Sequence, residues 1–211
     1  MNRPELLAAF VFASSMLTES AEAMSLGQIA QISQSATPAA FESVEMVSVR
    51  GDSYTPQWQH AKAEITKDIK KLQSCLDDAS NCSSAAQVNW REMVIGLRGA
   101  DEDTQLQTVN VFFNRWQYRS DMETYGRSDE WAGPIKFMEN SGDCEDYALA
   151  KYTTLLFVGF HDEAMRIMAV QDNNRGGIGH AVLNVSTTSG NMILDNLSKI
   201  SPLFDRKNFD W

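Results

Sequence analysis

Apolar side chains recur at helical spacing through the middle of the chain. In residues 58–76 the isoleucines and leucines stand four, three and four positions apart, with lysine and glutamate between them. This spacing places the apolar side chains on one face and predicts an amphipathic helix. The same pattern predicts a second helix over about residues 84–97, and a third after the cap candidates Asp103 and Thr104.

The second half of the chain changes from helical to alternating periodicity. A passage rich in glycine, proline and serine over residues 126–142 predicts loops, and a fourth helix is predicted from Cys144 to about Phe157. Helices first and antiparallel strands afterwards indicate an α+β fold, with N-terminal helices packed on an antiparallel sheet. The strands are predicted where apolar and polar residues alternate, at 166–171, 180–185 and 191–196.

The first residues have the organisation of a secretory signal peptide. An apolar run over residues 6–17 is too short to span a bilayer, and residues 21–23 (AEA) have the small side chains that signal peptidase accepts. Residues 1–23 are therefore interpreted as a signal peptide, with a buried N-terminal helix as the alternative. Residues 24–57 are of uncertain structure, and a weak alternation over 43–49 would suit an edge strand. The mature protein is expected in the periplasm, without stable membrane insertion.

Composition restricts the kind of partner. The chain of 211 residues carries 28 Asp+Glu against 18 Lys+Arg, a formal net charge of −10. Nucleic-acid binding depends largely on basic side chains that displace counterions from phosphates, so nucleic acid is not an expected partner. The 43% of hydrophobic residues is enough for one globular domain, which we place at residues 58–211.

The three cysteines divide into a close pair and a single residue. Cys75 and Cys82 stand seven apart around a polar stretch, and Cys144 stands alone. In an oxidising compartment the near neighbours are expected to pair, which leaves Cys144 free. If the chain is not exported, two reduced thiols at helix ends become the better interpretation.

Cys144 opens the fourth predicted helix. A thiol at a helix N-terminus lies at the positive end of the macrodipole and beside unpaired N–H groups, and both favour the thiolate. This position makes Cys144 a candidate nucleophile. On position alone, a small side chain buried at a helix start is an equal alternative.

The predicted hairpin downstream carries a candidate base and its partner. If the turn is centred between Thr187 and Thr188, His180 lies directly opposite Asp195, on the same face of the sheet. A register shift of one residue would place the two side chains on opposite faces. The remaining histidines, His60 and His161, are interpreted as solvated surface residues.

A helix-start cysteine followed by histidine and aspartate on neighbouring strands is the arrangement of transglutaminase-like thiol hydrolases. The local motifs are more specific than this arrangement. Over about residues 58–196 the chain resembles the bacterial transglutaminase-like cysteine proteinases, in particular members that cleave adhesins in the periplasm. The resemblance is carried by 131–134 (WAGP), 142–148 (GDCEDYA), 151–152 (KY), 180–183 (HAVL) and 194–196 (LDN).

The resemblance implies a transglutaminase-like or papain-like fold and assigns a role to each candidate residue. Cys144 would be the nucleophile, and His180 the general base that later acts as acid towards the leaving amine. Asp195 would fix the tautomer of the imidazole. These roles agree with the general requirement of an activated nucleophile, a base and a group that orients the base.

Three carboxylates flank the candidate nucleophile: Asp143, Glu145 and Asp146. Acidic side chains are common at helix starts, but so close to a thiol they raise its pKa and oppose the thiolate. A bound cation would remove this conflict, and oxygen ligands suit Ca²⁺, with Asp129 and Asn140 as possible further ligands. The resemblance likewise implies Ca²⁺ dependence through the residues beside Cys144. Zn²⁺ is not expected, because the histidines and the free cysteine do not form a ligand set.

The function that the resemblance implies is that of a Ca²⁺-dependent periplasmic endopeptidase. It would cleave a large surface adhesin near its N-terminus at a di-alanine site, which releases the adhesin and disperses biofilm. An inner-membrane cyclic-di-GMP receptor with a periplasmic domain would be its regulatory partner. The alternatives are a transglutaminase-type acyl transferase and a non-catalytic Ca²⁺-binding scaffold.

Overall fold

Six α-helices precede the strands in the described part of the computed structural model, which covers residues 56–172, 175–197, 200–202 and 209–210. The order of helices followed by antiparallel strands confirms the predicted α+β class. The predicted signal peptide, the possible edge strand and nearly all of the segment before residue 58 lie outside the described residues.

The three helices predicted from apolar periodicity are present: α1 (Pro56–Asp77), α2 (Ala85–Gly96) and α3 (Glu102–Phe113). The buried face of α1 includes the side chains that repeat at helical spacing, such as Ile65 and Leu72. Burial of these apolar side chains against the other helices is what stabilises α1. Among the described helices, none is both long and apolar enough to cross a bilayer.

The prediction of the α3 cap was wrong by two to three residues. The cap is Asp101, not Asp103 or Thr104, because the Asp101 backbone is extended and its Oδ1 accepts a hydrogen bond from the Thr104 N–H at 2.9 Å. The Thr104 hydroxyl donates to the other oxygen of the same carboxylate at 2.8 Å. One acidic side chain thus satisfies an N–H group that the first turn leaves without an intrahelical partner.

The passage predicted as loop contains the short helix α5 (Pro134–Asn140), and another short helix, α4 (Asp121–Tyr125), lies directly before it. A capping box opens α4: the Glu123 N–H donates to Ser120 Oγ, and the Ser120 N–H donates to the Glu123 carboxylate at 3.0 Å. Pro134 opens α5, where no N–H is needed. Helices of five and seven residues carry too few apolar repeats for their periodicity to stand out.

Helix α6 (Cys144–Val158) begins at the predicted residue, and Gly159, with a φ of 109°, ends it. The strands that follow form a sheet in the order β4-β3-β2-β1-β5, in which all paired neighbours are antiparallel. The three predicted strands are its centre. The strands are β1 (Met165–Asp172), β2 (Ile178–Thr187), β3 (Gly190–Leu194), β4 (Ser201–Pro202) and β5 (Phe209–Asp210).

The predicted register of the β2–β3 hairpin was wrong by two residues. The two-residue turn lies between Thr187 and Gly190, and Leu194 pairs with Leu183 instead of Ala181. The Thr187 hydroxyl donates to the Gly190 carbonyl at 2.8 Å, and Gly190 has a φ of 123°, which explains where the turn forms. Because side chains alternate with a period of two, this displacement keeps every side chain on its predicted face.

The main hydrophobic core lies between α6 and the sheet and continues among the helices. Tyr147, Ala148 and Leu155 of α6 pack with Leu183 and Val185 of β2. The fully buried Trp90 of α2 joins this layer, and its Nε1 donates to the Thr154 hydroxyl at 2.9 Å. Packing of α6 on β2 fixes the position of the residues at the start of α6.

The predicted disulfide is confirmed. Cys75 at the end of α1 is bonded to Cys82, and their Cα atoms are 4.6 Å apart. The closed loop holds the short 3₁₀ turn Ala79–Asn81 between α1 and α2. Among the described residues, Cys144 is the free cysteine.

We expect the double variant Cys75→Ser/Cys82→Ser to lose about 2–3 kcal/mol of unfolding free energy, because opening so short a loop frees the unfolded chain only modestly. Urea denaturation measures the loss, and non-reducing mass analysis of the parent protein should show both thiols oxidised. The chemistry of Cys144 should not change in the folded variant. A stability equal to that of the parent would show that this bond does not constrain the unfolded chain.

Candidate active site

Cys144 lies at the first position of α6, immediately after Asp143, whose backbone is extended. The residue before that, Gly142, forms a parallel bridge with Tyr118, and the Arg119 N–H donates to the Gly142 carbonyl at 2.9 Å. The start of α6 is therefore tied on one side to the chain between α3 and α4. Cys144 as a residue is partly exposed.

His180 on β2 and Asp195, directly after β3, form a buried pair. The His180 Nε2 atom is 2.8 Å from Asp195 Oδ1, and the two residues are 6% and 3% exposed. Because an ionised carboxylate only accepts hydrogen bonds, this contact places a proton on Nε2 and makes Nδ1 the basic nitrogen of the neutral ring. The Leu197 N–H also donates to Asp195 Oδ1, at 3.1 Å.

The structure brings the three predicted residues together through β2. The backbone N–H of Ala181, the residue after His180, faces the Cys144 sulfur and favours its thiolate. The candidate thiol, imidazole and carboxylate thus come from α6, β2 and the end of β3. The other histidines lie elsewhere: His60 is 3.6 Å from a Glu130 carboxylate oxygen, and His161 is exposed before a 3₁₀ turn.

The surroundings of the thiol oppose its ionisation. Burial, the charge of Glu145 and a hydrogen bond from Sγ to Glu145 Oε2 at 3.2 Å together raise the pKa of Cys144 to about 12. The Ala181 N–H lowers this pKa, but it does not outweigh the other effects. A negative charge beside the nucleophile is therefore a feature of the folded site, as the sequence indicated.

Three carboxylates meet beside the thiol. Asp121, Asp143 and Glu145 each place one oxygen so that all three oxygens lie within 4.8 Å of one another. The pKa of Asp143 is raised to about 7 by burial and by the nearby Glu145, and burial also raises the pKa of Asp121. Asp121 was not predicted. It stands 22 residues before Asp143, and its place in the first turn of α4 makes it indistinguishable in sequence from an ordinary helix-start acid.

Asp146, predicted as a metal ligand, lies outside this cluster. It is fully buried, and its Oδ1 accepts the Ala132 N–H at 2.7 Å while Oδ2 accepts the Asp143 N–H at 3.3 Å. Burial raises the pKa of Asp146 to about 9. Both oxygens are already engaged, so Asp146 connects the loop before α5 to the start of α6.

The two additional ligands suggested by the sequence make hydrogen bonds outside this cluster. Asp129 accepts hydrogen bonds from Gln57 Nε2 at 2.7 Å and from Trp131 Nε1 at 3.0 Å. The Asn140 side chain donates to the Lys136 carbonyl at 3.1 Å. Among the described residues, the acidic oxygens that lie within 4.8 Å of one another belong to Asp121, Asp143 and Glu145.

The cluster of Asp121, Asp143 and Glu145 fits a hard divalent cation. The Oδ1 atoms of Asp121 and Asp143 are buried and have no hydrogen-bond partner among the described residues. Buried acceptors normally have a partner, and carboxylate oxygens are the ligands that Ca²⁺ prefers. A cation at this point would satisfy these acceptors and offset the like charges.

Comparison with known proteins agrees with this arrangement. Residues 63–211 match the family model of the bacterial transglutaminase-like cysteine proteinases. This chain belongs to that family. No curated protein sequence matches it.

Solved structures of another bacterial transglutaminase-like cysteine proteinase are similar in fold and sequence. Calcium-bound LapG of Legionella pneumophila is 29% identical and superposes with a TM-score of 0.57, over 67% of this chain and 80% of that one. EGTA-treated LapG is 28% identical, with a TM-score of 0.56, over 66% and 78% of the respective chains. The family and these structures identify this chain as a cysteine peptidase and confirm its transglutaminase-like fold.

One residue that supports the site of this cysteine proteinase was missed in the sequence. Asn114, directly after α3, donates from Nδ2 to the backbone carbonyl of Asp195 at 2.9 Å. The contact joins α3 to the end of β3 and restrains the backbone that carries the carboxylate. A single asparagine 81 residues away carries no signal that sequence analysis can use.

We expect Gly142→Ala to destabilise this cysteine proteinase by about 1–3 kcal/mol or more, because an added Cβ would overlap the Asp146 carboxylate and lie 2.8 Å from its Cβ. Urea denaturation provides the measurement. The matched control is Gly96→Ala, where nothing lies within 4 Å and alanine favours the helix. If both variants are as stable as the parent, the close approach of Gly142 to Asp146 is wrong.

Proposed function

We propose that this chain is a Ca²⁺-dependent periplasmic cysteine endopeptidase with a Cys144–His180–Asp195 triad. Its substrate is a large surface adhesin, cleaved near the N-terminus at a di-alanine site, which releases the adhesin and disperses biofilm. An inner-membrane cyclic-di-GMP receptor with a periplasmic domain sequesters the enzyme. The adhesin, the receptor and the compartment rest on the family resemblance.

The observation that carries the catalytic part of the proposal is the buried contact of 2.8 Å between His180 Nε2 and Asp195 Oδ1. A surface histidine needs no such partner, whereas a general base must be held in one tautomer and orientation. The helix start that carries Cys144 faces the same strand through the Ala181 N–H. This combination supports acyl transfer through a thioester.

In the proposed reaction His180 Nδ1 accepts the proton of the Cys144 thiol, and the sulfur attacks the carbonyl carbon of the scissile peptide. In this proposal the backbone N–H of Cys144 stabilises the developing oxyanion. The imidazolium then gives its proton to the leaving amine, which leaves an acyl thioester on Cys144. In the second half, His180 removes a proton from water, which attacks the thioester and restores the thiol.

Asp121, Asp143 and Glu145 are the proposed Ca²⁺ ligands. When bound there, Ca²⁺ would supply positive charge that offsets these carboxylates and favours the Cys144 thiolate. The proposal is supported by the oxygens of these residues, which lie within 4.8 Å of one another, and by the relative LapG, which was solved calcium-bound and EGTA-treated. Asp146 is proposed to anchor the loop and not to bind the ion.

The disulfide supports an exported location. Disulfides form and persist in oxidising compartments such as the periplasm and are rare in the cytosol. The Cys75–Cys82 bond therefore agrees with export through a cleaved signal peptide.

Incubation of the purified protein with fragments of large exported proteins from the same genome, with and without chelator, tests the substrate class. Incorporation of an added primary amine instead of water would indicate a transglutaminase.

We expect Cys144→Ala to abolish cleavage, and His180→Ala to reduce it by at least about a thousandfold, because members of a triad act as a unit. Asp195→Ala should cost less, since it removes only the group that orients the base. Rates of cleavage of a quenched fluorescent peptide with an internal Ala-Ala bond provide the measurement. His60→Ala and His161→Ala are the controls and should keep their activity. An active His180→Ala variant would disprove the assignment of the base.

We expect Asp121→Asn to weaken Ca²⁺ binding at least about tenfold, because it removes one of three charged ligands. Isothermal titration calorimetry measures the affinity, and excess Ca²⁺ should partly restore cleavage. Asp103→Asn is the matched control, since it removes the same charge from an exposed helix start. Equal affinities in the two variants, or full activity of metal-free protein in strong chelator, would contradict the proposed ion site.

A further inference from the structure

Lys151 is a lysine that the fold buries completely. It lies on α6 with 0% exposure, and its Nζ atom has no hydrogen-bond partner among the described residues. The ammonium lies over the ring of Tyr147, whose centroid is 5.7 Å away. A buried charge without a close partner is costly, because its hydration is lost and little replaces it.

The position of Lys151 relates it to the catalytic residues. It follows Cys144 by seven residues, so the two side chains lie on the same face of α6, about 10 Å apart along its axis. Burial lowers the pKa of Lys151 to about 7, and the attraction of Asp195 opposes this change. The charge of Asp195, directly after β3, therefore acts on the ammonium, and Tyr147 is a titratable neighbour on the same helix.

We propose that Lys151 is a positioning residue that sets the proton affinity of the Asp195–His180 pair. Its positive charge favours ionised Asp195 and weakens the hold of the pair on the proton that they share. A more loosely held proton passes more readily from His180 to the leaving amine. This inference rests on the proposed triad and adds to it a residue that touches neither the substrate nor the thiol.

If Lys151 served only the fold, its replacement would be expected to lower the stability of the protein. An unpaired buried ammonium does not favour the folded state, so an apolar side chain of similar length should be neutral or stabilising. If Lys151 acts through its charge on the pair, removal of that charge should impair turnover while leaving the fold intact. Variants of Lys151 without the charge should therefore lose turnover but keep their stability.

The test compares Lys151→Met with Lys151→Gln, which also removes the charge but keeps a hydrogen-bond donor. Lys67→Met is the control, because it removes the same charge from an exposed residue on α1. Cleavage of the quenched Ala-Ala peptide gives kcat and KM, thermal melts give stability, and NMR titration follows the His180 ring. We expect kcat to fall about tenfold in both Lys151 variants, with KM and melting temperature kept, and the ring titration to move up by about one pH unit.

Two results would overturn the inference. One is a folded Lys151→Met protein whose His180 titration and kcat match those of the parent. The other is a large fall in melting temperature in both Lys151 variants with no shift in the ring titration, which would assign Lys151 to the fold. The NMR titration needs no turnover. It therefore tests the effect of Lys151 on His180 even if the parent fails to cleave the peptide and the proposed function is wrong.

Discussion

The carboxylate of Asp146 is the contact on which the geometry of the site depends. One oxygen accepts the Ala132 N–H and the other accepts the Asp143 N–H, so a buried side chain joins two loops to the start of α6. Gly142 packs against it too closely for any larger residue. These contacts hold this end of the helix, and its body packs on β2, the strand that carries His180.

The same geometry creates an electrostatic problem. The turn that positions Cys144 also places Asp143 and Glu145 beside it, and Asp121 approaches from α4. Like charges at such short range are costly and keep the neighbouring thiol protonated. The cluster has acceptors without a partner among the described residues, and the pKa of Cys144 is high; both are consequences of one arrangement. A divalent cation at this point would offset both, which is why the proposal links metal binding to the Cys144 thiol and not to the stability of the fold as a whole.

Periodicity predicted the long helices and the central strands, because these depend on local patterns. The hairpin register depends on a turn closed by Thr187 and Gly190, yet its even displacement left His180 and Asp195 on one face. Ligands are harder to predict. Proximity in sequence favoured Asp146, whose side chain points inward from the first turn of α6, whereas Asp121 comes from a distant short helix. Such contacts depend on tertiary packing, which sequence spacing does not report.

Titration of the Cys144 thiolate most directly tests the proposed link between Ca²⁺ binding and the ionisation of this thiol. The ultraviolet absorbance of the thiolate is followed against pH, as the difference between the parent protein and Cys144→Ala, with Ca²⁺ and with chelator. We predict that in chelator the thiolate appears only in strongly alkaline solution, as expected from a pKa of about 12, and that Ca²⁺ moves its appearance towards neutral pH. Identical titration curves with and without Ca²⁺ would contradict the account.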